Sequence, residues 1–375
     1  MTLLQRREWL KQSLLASTAF ALPQYKNFNA CRLPHGSLND PEKVLRLNWN
    51  ENPFGPSEKA RKAILDTIDR ANHYPDDLLQ ELKSKLAGKY GLKSENVLVT
   101  SGSTEILCLL GQLAGMDKGD ILSPWPSFPT MLLFGQRCGA TQTRVDLRSD
   151  YVIDLDKVED NITRKTKIVF ICNPNNPTST EVNNEDLRSF CRSLPSDVLI
   201  CVDEAYIEFS SKGVAGSLVD MVEEIPNLII VRTFSKAYGL AGLRIGYAVS
   251  TARNIRALQS RHIGLDFNIG ATAVAAAVST LNDTDFIDGC VAETEKGRNI
   301  LYKAFDEWGV EHAKSATNFV YLKSDRFVPD LVDKLRSHNI LITKWSTMTD
   351  HVRISIQTPP EMQQFVDTAE SYVLS

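Results

Sequence analysis

The 375-residue chain has little excess charge of either sign, since 42 Lys and Arg stand against 46 Asp and Glu for a formal net charge of −4. With that balance there is no broad basic field to neutralise a phosphate backbone, which argues against nucleic acid as a partner. The seven cysteines (31, 108, 138, 172, 191, 201 and 290) never form a CxxC pair, and several, Cys172 and Cys201 among them, lie inside apolar runs. That pattern reads as buried free thiols rather than a disulfide framework or a zinc site. The six histidines are scattered without HxxxH or HExxH spacing, so no metal is expected. Also lacking are an internal repeat, a low-complexity linker and an apolar run long enough to span a bilayer comfortably. What is there, 43% hydrophobic and 23% charged residues, suffices for a sizeable core divided between two domains.

The N-terminus departs from this plain picture. Arg6-Arg7 precede the apolar segment Leu14 to Leu22, which contains Ala19-Phe20-Ala21, the order of a secretory leader. Gln5-Arg6-Arg7-Glu8-Trp9-Leu10-Lys11 resembles the twin-arginine export signal. The expectation is an export leader over residues 1–30, directing the chain to the periplasm or cell envelope through the twin-arginine machinery. The alternatives are an amphipathic arm that docks on a partner subunit, and a cytoplasmic protein.

From about Leu45 short apolar runs alternate with helical periodicity, the pattern of an α/β protein with a largely parallel sheet flanked by helices. Val97 to Val99, Ile121-Leu122, Ile168 to Ile171, Val198 to Val202 and Leu228 to Val231 read as core strands, near-continuously apolar as a sheet buried on both faces requires. Ile106, Leu107, Leu109, Leu110 and Leu113 nearly encircle a helix that should be buried. After an alanine-rich helix at Gly270 to Thr280 the C-terminal third reads as a smaller α+β domain. Its helices are expected at Glu293 to Trp308, Val328 to Asn339 and from Pro359, with strands at Asn318 to Leu322, Ile340 to Thr343 and Val352 to Ile356. The expected division is 31–70 as an N-terminal arm and part of the small domain, 71–262 as a large domain and 263–375 as the small one.

Four segments that follow strands hold the residues suited to chemistry, and open α/β sheets place ligands outside the carboxyl ends of their strands. In Thr233-Phe234-Ser235-Lys236-Ala237-Tyr238-Gly239-Leu240-Ala241-Gly242-Leu243-Arg244-Ile245-Gly246 one lysine sits among hydroxyls, glycines and an arginine. A lysine amine loses its proton readily near other cations or in a dry pocket, and the neutral amine condenses with an aldehyde as a Schiff base. Thr233, Ser235 and Arg244 are near enough to converge on a phosphate. Asp203-Glu204-Ala205-Tyr206 offers a carboxylate to a ring nitrogen and a phenol to a ring oxygen, although an aspartate at a strand-to-helix turn is also a common N-cap. Asn173-Pro174-Asn175-Asn176-Pro177-Thr178 aims an amide at the same oxygen from a proline-braced turn. Ser101-Gly102-Ser103-Thr104-Glu105 presents free N–H groups at a helix start, which serve an anion or a plain capping box. Together these suggest pyridoxal phosphate, an aldehyde for the lysine and a phosphate for the rest.

In this order the segments resemble the fold-type I (class I/II) pyridoxal-phosphate aminotransferases, most of all the histidinol-phosphate aminotransferase branch, over roughly residues 45 to 370. The other markers are Asn48-Trp49-Asn50-Glu51-Asn52-Pro53, Tyr74-Pro75, Ile207-Glu208-Phe209, Asn318-Phe319-Val320 and Val352-Arg353-Ile354-Ser355. The resemblance implies an aspartate-aminotransferase-like fold and a homodimer that moves an amino group between a small amino donor and a 2-oxo acid. It makes Lys236 the Schiff-base lysine and proton shuttle, Asp203 the pyridinium partner, and Tyr206 and Asn176 the ligands of the ring hydroxyl. Gly102, Ser103, Thr104, Thr233, Ser235 and Arg244 would cradle the phosphate, with Tyr74 reaching it from the second subunit and Phe128 stacked on the ring. Arg353, with Asn52 and Asn318, would hold the substrate. Two positions depart from the branch: Thr343 stands where it usually has an arginine, and Ser179 where it has a glycine. An aromatic amino acid aminotransferase, a decarboxylase on the same scaffold and a non-catalytic relative are the alternatives.

Overall fold

The computed structural model describes residues 44–262, 268–345 and 350–374. The expected export leader and the boundary placed at residue 263 lie outside the described residues. In chain order the strands are β1 (Leu45–Leu47), β2 (Val97–Thr100), β3 (Asp120–Trp125), β4 (Thr141–Asp146), β5 (Thr166–Cys172), β6 (Leu199–Asp203), β7 (Leu228–Thr233), β8 (Gly246–Ser250), β9 (Phe319–Lys323), β10 (Ile340–Ile342) and β11 (His351–Ser355).

Seven of them form one sheet in the order β2-β8-β7-β6-β5-β3-β4. The pairs from β7 through β6, β5 and β3 to β4 are parallel, and only β8 runs the other way, between β2 and β7. The near-continuous apolar runs explain why both faces are covered. Val169, Ile171, Ile200, Val202, Leu228 and Ile230 enter one core cluster, while Ile168, Phe170, Cys201, Ile229 and Val231 enter another. Alternate residues of a strand point to opposite faces, so each strand feeds two cores. Each such side chain contributes about 1.5–3 kcal/mol on burial. The helix Ser103–Met116 buries Ile106, Leu107, Leu109 and Leu110 in the second cluster, as its apolar pattern leads one to expect.

The C-terminal third has its own core. β9 pairs antiparallel with β11 and β1 pairs parallel with β10. Leu301, Phe305, Leu335, Met362 and Phe365 come from the helices Thr284–Glu307, Leu331–Ser337 and Pro359–Ala369 and pack there with Leu47, Val320 and Ile354. The α+β order is as expected, but two bounds are not. The long helix starts at Thr284, nine residues before Glu293, because its first turns, with Asp285, Asp288 and Gly289, are too polar to show periodicity. The helix expected over Val328 to Asn339 is cut to Leu331–Ser337.

β2, β5, β6 and β7 all run the same way, so the segments that follow them emerge at one end of the sheet. That places the four predicted segments together.

Candidate active site

The segment after β7 is closed on itself: Phe234 N–H donates to Ile245 O at 3.1 Å and Leu240 N–H to Phe234 O at 3.0 Å. Phe234 and Ala237, fully buried on either side, anchor Lys236 between them. Lys236 Nζ donates to the backbone oxygens of Trp49 and Asn50, at 3.3 and 3.2 Å, and lies 5.4 Å from the centre of the Tyr206 ring. No carboxylate pairs with it among the described residues. Its pKa is pushed down to about 7, by burial first and then by the Arg353 charge, with Arg244 adding to the effect and Glu51 and Asp203 opposing it. An amine of this kind is largely neutral just above neutral pH, which makes it a nucleophile and a base.

Asp203 is the last residue of β6 and is buried. It does not cap an α-helix: a short 3₁₀ turn, Ile207–Phe209, follows, and among the described residues the carboxylate accepts only the N–H of Ala205, at 3.1 Å. Burial pushes its pKa up to about 7; Glu204 adds to this, and Lys236 opposes it. A carboxylate with one hydrogen bond and no ion pair retains capacity for another N–H donor.

Tyr206 is buried edge-on against Phe319, with ring centres 5.1 Å apart, and its hydroxyl accepts from Asn50 Nδ2 at 3.0 Å and Asn176 Nδ2 at 3.5 Å. Burial raises the phenol pKa, so the group stays protonated. Asn50 is a residue that sequence reasoning left out of the site. It adopts φ 54°, its N–H donates to Ser355 Oγ, and Ser355 Oγ–H donates back to Asn50 Oδ1, both at 2.8 Å. Asn318 Nδ2 donates to Asn50 O at 3.1 Å, beside the lysine.

At the other side of Lys236, Arg244 has φ 53°; its Nη1 donates to Ala241 O at 2.9 Å and lies 3.4 Å from Ser235 Oγ. Thr233 Oγ1–H donates to Ser235 Oγ at 2.9 Å. Gly102, at φ 82°, precedes the helix that starts at Ser103, and a Cβ built on it would stand 2.4 Å from Arg244 Nη2. A Cβ on Gly246 would stand 2.4 Å from Ser103 N. The two glycines therefore let a helix start, with its unpaired N–H groups, approach Arg244, and Arg244 has no carboxylate partner among the described residues. Glu105 is not the acid of a capping box. It accepts from Ser101 N–H at 2.8 Å and from Asn268 Nδ2, and lies 3.2 Å from His262.

Arg353 closes the opposite end. Only 4% exposed, it donates from Nη1 to Asn176 Oδ1 at 2.7 Å and from Nη2 to Asn48 O at 2.8 Å and Thr343 Oγ1 at 3.3 Å, while its Nε has no partner. The guanidinium lies 5.2 Å from the ring centres of both Phe319 and Trp345. Burial pushes its pKa down to about 10, still charged at neutral pH. Thr343 Oγ1–H donates to Asn48 O at 2.7 Å.

Phe128, half-buried, packs against the core cluster under the sheet, and Tyr74 is 74% exposed. Asn52 braces the lysine segment: its Nδ2 donates to Ala237 O, next to Lys236, at 2.8 Å, and its Oδ1 accepts Phe54 N–H at 2.9 Å.

The family model for aminotransferase class I and II matches residues 42–368. The histidinol-phosphate aminotransferase of Caldicellulosiruptor saccharolyticus is 33% identical over 327 residues, covering 87% of this chain and 90% of that one. The aromatic amino acid aminotransferase of Rhodococcus jostii is 36% identical over 332 residues, covering 88% and 90%. The crystal structure of histidinol-phosphate aminotransferase from Sinorhizobium meliloti, in complex with pyridoxal-5'-phosphate, superposes with a TM-score of 0.79 at 28% identity, covering 88% of this chain and 91% of that one. The chain belongs to the class I and II aminotransferases.

Proposed function

We propose that this protein transfers an amino group from an aromatic amino acid to a 2-oxo acid, with pyridoxal phosphate held on Lys236. The observation that carries the reading is Lys236 itself, an amine without an ion pair among the described residues, pinned by two backbone oxygens within an arrangement of donors and acceptors that fits the cofactor part by part. The remaining acceptor capacity of Asp203 suits a ring N–H, the Tyr206 hydroxyl and the Asn176 amide suit a ring oxygen, and Arg244, without a carboxylate partner among the described residues, suits a phosphate together with the helix start at Ser103. Thr104, Thr233 and Ser235 lie in the same two segments.

When bound, pyridoxal phosphate supplies an aldehyde for an amine and a ring that withdraws electrons from the carbon next to that nitrogen. The chain does the rest. Lys236 Nζ, neutral in a substantial fraction at pH 7, would hold the cofactor's aldehyde as an amine and, when free, would serve as the base that moves the proton at the donor's α-carbon. Asp203, ionised above about pH 7, holds a proton at the ring nitrogen. Arg353 binds the donor's carboxylate, for which its planar fork is suited.

The choice of donor rests on what surrounds Arg353. Its Nη atoms are already hydrogen-bonded, its neighbour Thr343 is uncharged with its hydroxyl proton on Asn48 O, and the Trp345 ring lies against the guanidinium. One guanidinium beside aromatic faces suits one carboxylate and an apolar ring. Histidinol phosphate is the second reading, supported by the relatives of that name. With phenylalanine, tyrosine and histidinol phosphate offered alongside a 2-oxo acid, the aromatic acids should give keto product with kcat/KM roughly tenfold above that of histidinol phosphate. The reverse ratio selects the second reading, and no transfer from any donor rejects both.

The same proposal includes a homodimer in which Tyr74 of one subunit completes the phosphate cradle of the other. The exposure of Trp49, Leu65, Ile68 and Tyr74 on the single chain supports it. Export to the periplasm through a leader at residues 1–30 rests on the sequence alone.

A further inference from the structure

Behind Asp203 lies a buried ionic network that the chemistry above does not use. Glu204 Oε2 accepts from Ser217 Oγ at 2.6 Å, its Oε1 accepts from Leu218 N–H at 2.8 Å, and Arg232 Nη1 lies 3.6 Å from Oε2. Arg232 Nη2 donates to Glu208 Oε1 at 2.7 Å and its Nη1 to Tyr90 OH at 3.2 Å. Arg232 and Glu204 are each 1% exposed and Glu208 is 7% exposed. Asp203 and Glu204 face opposite sides of the sheet end. The charge of Asp203 is felt by Cys172 and Cys201, in one core cluster, and that of Glu204 by Cys191, in the other.

Two carboxylates share one guanidinium here, and a surplus negative charge in a dry interior is costly unless hydrogen bonds satisfy it. Both oxygens of Glu204 accept donors, from an O–H and an N–H, which is the hydrogen bonding of a carboxylate rather than of a protonated acid. We propose that Glu204, kept anionic by Arg232, is a positioning residue that acts through Asp203, its buried charge making the neighbouring carboxylate a stronger acceptor for a protonated ring nitrogen. The inference rests on the pyridoxal-phosphate reading.

The physical link is short. Glu204 follows Asp203 directly, and its negative charge raises the proton affinity of Asp203 beyond what burial alone does. The other titratable groups acting on Asp203 are Lys236, Tyr206, Cys172 and Cys201. Those acting on Glu204 are Arg232, Glu208 and Cys191. Glu208 also pairs with Arg232, but it is Glu204 that adjoins Asp203 in the chain. Glu208 is therefore the natural control, since both Glu204→Gln and Glu208→Gln remove one negative partner from the same arginine.

The test is equilibrium loading of the full-length protein with pyridoxal phosphate across pH, read by absorbance. In wild type, loading should weaken as pH falls and Asp203 takes up a proton. Glu204→Gln should bind several-fold more weakly above neutral pH and have its acid limb displaced downward by about half a pH unit, because Asp203 has become less basic. Glu208→Gln should leave the limb in place. Should Glu204→Gln not fold, Ser217→Ala takes its role: removing a donor from Glu204 favours the neutral acid and should move the limb the same way by less. Equal shifts in the glutamate variants, or an unmoved limb in Glu204→Gln or in its substitute, overturn the inference. A wild type that does not load at any pH overturns instead the cofactor reading on which it rests.

Discussion

Arg244 and Arg353 are both arginines without a carboxylate partner among the described residues, yet they are built in opposite ways. Arg244 is exposed, in a left-handed backbone conformation, and its neighbours come from two short stretches, 102–104 and 233–246. Arg353 is buried, donates three hydrogen bonds to Asn48, Asn176 and Thr343, and lies against two aromatic rings. Under the proposed function the first would gain its specificity for an anion from room, because glycines let N–H groups come close. The second would gain it from confinement, because a desolvated guanidinium with fixed hydrogen bonds accepts only a group of matching shape and charge. A pocket with one end of each kind would then separate the tasks of retaining a cofactor and choosing a substrate.

Between the two ends sits Lys236, and removing it should have the largest effect. Lys236→Ala should lower kcat by about three orders of magnitude or more while the fold persists, and borohydride treatment should no longer fix cofactor to the denatured protein. Retained fixation would mean that another amine does the chemistry. Arg353→Met should sharpen the comparison directly. We expect kcat/KM to fall about 100-fold, as loss of charge-assisted hydrogen bonds implies, with pyridoxal-phosphate loading nearly unchanged. A loading defect equal to the kinetic defect would show that the two ends are not separate.

A smaller effect should come from pH. Lys236 must be neutral to attack, and its pKa of about 7 lies below the usual lysine value of 10.5. Capture of the cofactor by cofactor-free protein should therefore quicken about tenfold per pH unit below 7 and level off above it. Asp203, ionised above about 7, acts in the same direction. A rate still climbing steeply at pH 9 would contradict the lowered lysine pKa. The smallest effect belongs to Thr343→Ala, which deletes one long hydrogen bond to Arg353 together with the hydroxyl's bond to Asn48 O, an oxygen that keeps Arg353 Nη2 as a donor. KM for the donor should rise a few-fold with kcat unchanged, about 1 kcal/mol.

The same contrast decides what could be read from the sequence. The Arg244 cradle was visible because hydroxyls, lysine and arginine fall within fourteen residues, and because a glycine-rich turn before a buried helix has a known physical use. The large sheet was visible for a similar reason, since unbroken apolar runs need two covered faces. The Arg353 end was legible only by resemblance. Asn50, which links Lys236, Tyr206 and Ser355, was missed as a site residue because its partners lie 186, 156 and 305 positions away. Asn52 stood out in the same motif, but its amide is spent on Ala237 and Phe54.

The sequence by itself determined the class of sheet, the two cores and the candidate for the reactive lysine, because periodicity and local composition dictate which faces must be buried and which turns hold exposed polar groups. Only the tertiary structure decided that Lys236 has no ion pair among the described residues, that Asp203 keeps acceptor capacity for one more donor, and that Arg353 lies beside Thr343 and Trp345. Those properties depend on desolvation and on which distant groups are brought within a few ångströms, and neither is encoded in any single stretch of chain.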